Sequence, residues 1–258
     1  MLMKGKVALV AGIGPGLGRE SALALAREGA DLILAARSSE LIKALAAEIE
    51  QMGCQALWQP TDITSMKSCE NLVDKARGRF GRIDVLVNNA FYTGELGSIM
   101  ETDLNDWRQV IEVNLLGAVA TTRAVVPAME RNGGSIIMVN SLQAWGVVPG
   151  FGAYSASKAA LESVTRAFAA ELGPRGIRVN GMHPGMILEE RLLRYFENLA
   201  EQKGCSPEEA YEESAAETAL GYIPNAKEIA GTVLYLASDL AKPVTGQSIG
   251  VNAGAWFH

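Results

Sequence analysis

The stretch Gly12-Ile13-Gly14-Pro15-Gly16-Leu17-Gly18 stands between a short apolar run, Lys6 to Ala11, and a segment from Arg19 to Arg27 whose Ala and Leu recur at helical spacing. A glycine-rich join of this kind, between strand and helix, constrains the fold more than anything else in the chain. Glycine permits tight backbone geometry and lets an anionic group come close to the main chain. The helix behind it offers free N–H groups and a partial positive charge. Strand, glycine turn and helix in that order form the opening unit of a parallel sheet that binds a dinucleotide by its pyrophosphate. Gly12, Gly14, Gly16, Leu17 and Gly18 are therefore the first candidate cofactor contacts.

The remaining sequence keeps the same rhythm. Strand signals at Leu32–Ala35, Ala56–Trp58, Ile83–Val87, Ser135–Val139, Arg178–Asn180 and Gln247–Val251 alternate with helical patterns. The helices are expected at Glu40–Met52, Ser65–Phe80, Trp107–Met129, Tyr154–Leu172 and Ala226–Ala237. Such alternation implies βαβ units and an α/β fold: a doubly wound, Rossmann-type parallel sheet of about seven strands. No linker, repeat or low-complexity segment divides the chain, so residues 1–258 read as one domain. One region departs from the rhythm, because Leu188 to Gly221 holds two helical stretches where a direct crossover needs one. An insertion after a strand's C-terminal end covers the ligand crevice in folds of this kind, so about 186–224 is a candidate lid.

Composition removes several function classes. The net charge of −6 argues against a nucleic-acid backbone as partner. All of that excess falls between Met186 and Pro224, where nine Glu face three Lys or Arg (3 − 9 = −6). Cys54, Cys69 and Cys205 are scattered, and His183 and His258 lie far apart, so neither a disulfide framework nor a metal site is encoded by spacing. No uninterrupted apolar run has the length of a membrane span, and Met1 to Gly5 leads straight into a strand, leaving no room for a signal peptide. A cytoplasmic protein without nucleic-acid or membrane partners is the expectation.

A dinucleotide site that prefers the unphosphorylated ribose places an acid about twenty residues beyond the glycine turn. Here the second strand ends Ala35-Ala36-Arg37-Ser38-Ser39. A guanidinium and hydroxyls suit a 2′-phosphate through charge-assisted bonds. Arg37 and Ser38 thus favour NADP(H), with NAD(H) as the alternative.

These residues, taken with six further motifs in order along the chain, resemble the short-chain dehydrogenase/reductase superfamily over nearly the whole length. The family's Thr-Gly-xxx-Gly-x-Gly turn is similar to Ala11-Gly12-xxx-Gly16-Leu17-Gly18, with Ala for Thr. Its adenine-contacting Asp matches Asp62 in Thr61-Asp62-Ile63. Its Asn-Asn-Ala-Gly motif resembles Asn88-Asn89-Ala90-Phe91. Its catalytic asparagine, serine and Tyr-xxx-Lys match Asn114, Ser141, Tyr154 and Lys158, and its Pro-Gly after the sixth strand matches Pro184-Gly185. The resemblance implies an oxidoreductase acting on an alcohol or carbonyl. It also extends the expected cofactor contacts to Asp62, Ile63, Asn89, Ala90, Tyr154, Lys158, Pro184, Gly185 and Ile187. Two departures stand out: Phe91 replaces a glycine beside the expected nicotinamide site, and Leu188 stands where the family often has a carboxamide-binding Thr. Enoyl reductases of this fold use a longer Tyr-to-Lys gap, which disfavours C=C reduction.

The chemistry explains why these residue types are needed. Hydride transfer to a carbonyl leaves an alkoxide that must be protonated as it forms. A tyrosine with an unperturbed pKa of about 10 is too weak an acid to serve as a neutral-pH base unaided. Lys158, one helical turn from Tyr154, is expected to lower that pKa by favouring the phenolate. The resemblance adds a second task for Lys158, holding the nicotinamide ribose. Ser141 would donate to the substrate oxygen, and the resemblance gives Asn114 a water on the proton path to Lys158.

Phe91, Leu142, Gln143, Trp145, Val148, Phe151, Met186 and Leu188 are the candidate substrate contacts, with Leu192, Leu193 and Phe196 on the lid. Their apolar character favours a hydrophobic cyclic, terpenoid, aryl or steroidal alcohol or ketone. The resemblance implies pairing of the Asn114–Met129 and Ser155–Leu172 helices between copies, hence a homotetramer. Two other classes compete: a non-catalytic NAD(P)-binding sensor, and a nucleotide-sugar epimerase or dehydratase. The intact Tyr-Lys-Ser set speaks against the first. The second usually carries a longer C-terminal substrate domain than this chain provides.

Overall fold

A computed structural model describes residues 1–130, 132–146 and 148–257; His258 lies outside them. Seven parallel strands run in the order β3-β2-β1-β4-β5-β6-β7. They are β1 Val7–Ala11, β2 Asp31–Ala36, β3 Ala56–Pro60, β4 Val85–Asn88, β5 Gly134–Val139, β6 Ile177–Pro184 and β7 Ser248–Val251. β1 and β4 are buried along their whole length, which is why Val7–Ala11 and Val85–Val87 are apolar runs with no alternation before Asn88 closes β4. β6 extends well beyond the expected Arg178–Asn180, because Gly181 and His183 interrupt its apolar pattern while the ladder to β5 and β7 continues.

Helices cover both faces. α1 Leu17–Arg27, α2 Ser39–Gln51 and α9 Ala226–Ala237 bury Leu23, Ile42 and Val233 on one side. On the other, α3 Met66–Phe80, α5 Gly117–Met129 and α6 Gly152–Leu172 bury Leu72, Val125 and Leu161. Each such side chain contributes about 1.5–3 kcal/mol of transfer free energy. Strand order reverses between β1 and β4, so the crevice above their C-terminal ends is the natural ligand position.

The long fourth helix starts earlier than its apolar pattern suggests, at Leu104, capped by Asp103. α4 Leu104–Ile111 runs into α5 through one π-helical turn, Glu112–Leu116. Although Leu104–Met129 has the length and apolarity of a membrane span, half of its most apolar window is buried in the fold. The insertion holds α7 Glu190–Lys203 and α8 Pro207–Ala216. A small core of its own joins them, with Phe196, Ala200, Ala210, Ala215 and Ile223 buried. α8 begins with a reciprocal Ser206–Glu209 capping box and Pro207 in its first turn.

Candidate active site

The glycine turn is tied to both neighbouring strands. Gly12 has φ +101°, donates its N–H to Ala35 O at 2.8 Å, and accepts from Asn89 Nδ2 at 2.6 Å. A Cβ on Gly12 would overlap the Ala90 backbone, and one on Gly18 would overlap Gly12 O and reach the Asn89 amide. Gly14 faces open space. Gly16 is the N-cap of α1 and supplies no side-chain cap bond to it, so the helix presents Leu17 and Gly18 N–H groups in the manner a pyrophosphate requires. These residues fit a dinucleotide. Beyond β2, Arg37 is exposed and Ser38, the N-cap of α2, makes no side-chain cap bond. Asp62 Oδ1 accepts from the Thr64 N–H at 3.0 Å and its hydroxyl at 2.8 Å, which fixes the exposed turn beside Ile63.

Four elements bring the catalytic candidates together. Ser141 follows β5 and opens a 3₁₀ turn, its Oγ accepting from Gln143 N–H at 3.2 Å. Tyr154 and Lys158 come from the first turns of α6. Lys158 is fully buried; its Nζ donates to Val139 O at 2.8 Å and lies 5.7 Å from the Tyr154 ring centroid. Burial pulls its pKa down to about 7. Burial also pushes the Tyr154 phenol above its ordinary value, opposed by a hydrogen bond with Ser141 and by the Arg191 charge. This reverses the direction expected from the Tyr-Lys spacing.

Asn114 reaches the site through the π turn, a geometry that re-aims a side chain without breaking its helix. Its Nδ2 donates to Tyr92 O and to Ser157 Oγ, both at 2.9 Å, while Oδ1 accepts from Tyr92 N–H at 2.7 Å. Ser157 Oγ in turn donates to Tyr154 O at 2.6 Å. Both amide hydrogens of Asn114 are used, leaving one oxygen lone pair as its remaining capacity.

A family model described as enoyl-(acyl carrier protein) reductase matches residues 12–255. The 3-oxoacyl-[acyl-carrier-protein] reductase of Thermotoga maritima is 36% identical, over 98% of this chain and 99% of that protein. The chain belongs to the short-chain dehydrogenase/reductase superfamily. The 7alpha-hydroxysteroid dehydrogenase of Escherichia coli is 32% identical over 98% of this chain and 94% of its own length. The crystal structure of an NAD+-bound xylitol dehydrogenase superposes with a TM-score of 0.90 at 29% identity, covering 97% of this chain and 99% of that one.

In this short-chain dehydrogenase/reductase the Tyr154 ring is flanked edge-on by two of the expected substrate contacts. Phe91 lies at 6.4 Å and Phe151 at 6.3 Å between centroids. Phe91, Val148 and Met186 are exposed. Gln143 accepts from the Ser155 hydroxyl at 3.4 Å. Trp145 stacks on His183 at 3.8 Å and donates its indole N–H to Glu162 at 3.0 Å. His183 Nδ1 lies 2.8 Å from Ser141 O, so it carries the donated proton and braces the Ser141 turn. Pro184 ends β6, Leu142 approaches Gly185, and Ile187 packs on the main core. Leu188 packs on the insertion's core with Leu192, and its N–H donates to Pro224 O at 2.9 Å. Phe196 is buried in that core, whereas Leu193 is exposed.

Sequence reasoning passed over Tyr92, Ser157, His183, Glu189 and Arg191. Tyr92 and Ser157 adjoin recognised motifs. Nothing in the local pattern marks Glu189, whose carboxylate lies against the glycine turn from far along the chain.

Proposed function

We propose that this short-chain dehydrogenase/reductase moves a hydride between NADP(H) and a secondary alcohol or ketone on a hydrophobic skeleton. The observation that carries the reading is the Tyr154 phenol, one helical turn from Lys158, with Ser141 acting on its acidity and Phe91 and Phe151 walling its ring. When bound, the nicotinamide supplies or accepts the hydride. Tyr154, whose pKa burial raises, gives its proton to the substrate oxygen as the alkoxide forms. Ser141 holds that oxygen and stabilises its developing charge. Lys158, brought to about 7 by burial, can release or take up a proton near neutrality, and Asn114 Oδ1 retains one lone pair to hold a water on that route.

Exposed Arg37 and the uncommitted Ser38 hydroxyl support NADP(H) over NAD(H), because both can bond a 2′-phosphate. The aromatic walls beside Tyr154 support a cyclic, terpenoid, aryl or steroidal substrate, in keeping with the hydroxysteroid dehydrogenase among the relatives. Four copies pairing through α5 and α6 complete the reading. The test is a spectrophotometric screen at about 340 nm of hydrophobic ketones and alcohols with each cofactor. Turnover that requires Tyr154 and favours NADPH supports the proposal; cofactor binding without turnover on any carbonyl refutes it in favour of a sensor.

A further inference from the structure

Glu189 occupies a position that a cofactor should claim. It is the N-cap residue of α7, in extended conformation, yet its side chain makes no cap bond to its own helix. The carboxylate reaches across the crevice to the glycine turn, where a Cβ on Gly16 would overlap Oε2 and come within 2.9 Å of Cδ. Gly16 in turn caps α1 without a side chain. An anion from the insertion therefore sits at the end of α1, the place where the helix favours negative charge. Pyrophosphate binding at this turn needs the same space and the same field, and two anions repel there.

We propose that Glu189 is a tethered stand-in for the cofactor pyrophosphate, a latch that holds the insertion against the glycine turn until the dinucleotide displaces it. The proposal rests on the dinucleotide reading of that turn. The insertion is built to respond as a unit. Its two ends meet where Leu188 N–H donates to Pro224 O at 2.9 Å and Leu188 pairs with Asn225. Leu188, Leu192 and Phe196 share one small core, separate from the two cores on the sheet faces. Displacing Glu189 thus moves the start of α7 and the core attached to it. Arg191 travels with it, and its charge acts on both Glu189 and Tyr154. The carboxylate is partly desolvated in this position, which raises its pKa.

The experiment uses the full chain as wild type, Glu189→Gln and Glu189→Ala, with Glu189→Asp as a charged variant of shorter reach. NADPH and NADH dissociation constants are measured by nicotinamide fluorescence, and tryptic cleavage near Lys203 is timed with and without cofactor. Loss of the charge should tighten binding by about fivefold or more, with Glu189→Asp in between. Wild type should be cleaved faster once cofactor is present, and Glu189→Gln equally fast without it. Unchanged or weaker binding in both neutral variants overturns the latch. If wild type binds neither cofactor, the dinucleotide reading fails, and the cleavage of Glu189→Gln against wild type still decides the latch: equal rates overturn it.

Discussion

Lys158 offers a test in which catalysis and stability move in opposite directions. Its side chain is fully buried, with one hydrogen bond to Val139 O, and burial lowers its pKa from 10.5 to about 7. At about 1.4 kcal/mol per pKa unit, that fall corresponds to roughly 5 kcal/mol of differential stabilisation. The unfolded chain keeps this proton up to its ordinary pKa, whereas the folded chain releases it near neutrality. Stability linked to Lys158 is therefore greatest above the unfolded value and is lost as pH falls toward 7. Between pH 7 and pH 9.5 the linked gain is about 3 kcal/mol for wild type. Lys158→Met removes it, at the expense of an unpartnered Val139 carbonyl worth about 1–3 kcal/mol. The variant should be inactive, more stable than wild type at pH 7 by about 1–3 kcal/mol, and higher in Tm by several degrees. Urea unfolding of both proteins at the two pH values gives the difference directly, because other titrating groups are common to the pair. The reasoning is refuted if wild type and Lys158→Met gain or lose the same stability between those pH values.

Tyr154→Phe should retain cofactor affinity and fold while turnover falls by about a thousandfold or more, as read from NADPH fluorescence and initial rates. Arg37→Ala should raise KM for NADPH by about tenfold, the loss of one charge-assisted contact, and leave NADH nearly unchanged; equal effects on both would place Arg37 in solvent. Gly12→Ala drives a Cβ into the Ala90 backbone at a positive φ, and should weaken cofactor binding and lower stability by about 2 kcal/mol or more in urea unfolding.

The sheet, its strand count and the glycine turn were legible because each rests on a local signal: apolar strand runs with no alternation, helical spacing, and glycines at a strand-to-helix join. The positions of Ser141, Tyr154 and Lys158 followed from the resemblance in motif order, and the structure brings them together. Other features depend on long-range packing and leave no local trace. The π turn that carries Asn114 looks like ordinary helix in the sequence, and the partners of that side chain, Tyr92 and Ser157, lie elsewhere in the chain. The packing of Leu188 against the insertion's core is of this kind, because it depends on two helices having an apolar face to bury there. Glu189 meets the glycine turn across more than 170 residues of chain, as their numbering shows.

The acidity of Tyr154 shows where spacing and environment part. An i, i+4 pair fixes which groups are neighbours, but the effective field between them depends on what surrounds both. Here burial lowers the pKa of Lys158 and is the largest influence raising that of Tyr154. A phenol that stays protonated through neutral pH is ready as an acid, so ketone reduction needs no prior ionisation. Alcohol oxidation needs the phenolate, which becomes available only as pH rises through a pKa lifted above its ordinary value. The oxidative kcat/KM should therefore still be climbing at pH about 9, while the reductive value stays flat over the same span. Profiles in both directions on one substrate pair check this. An oxidative profile already level at pH about 7 would mean that a cation close to the phenol, rather than burial, sets its ionisation.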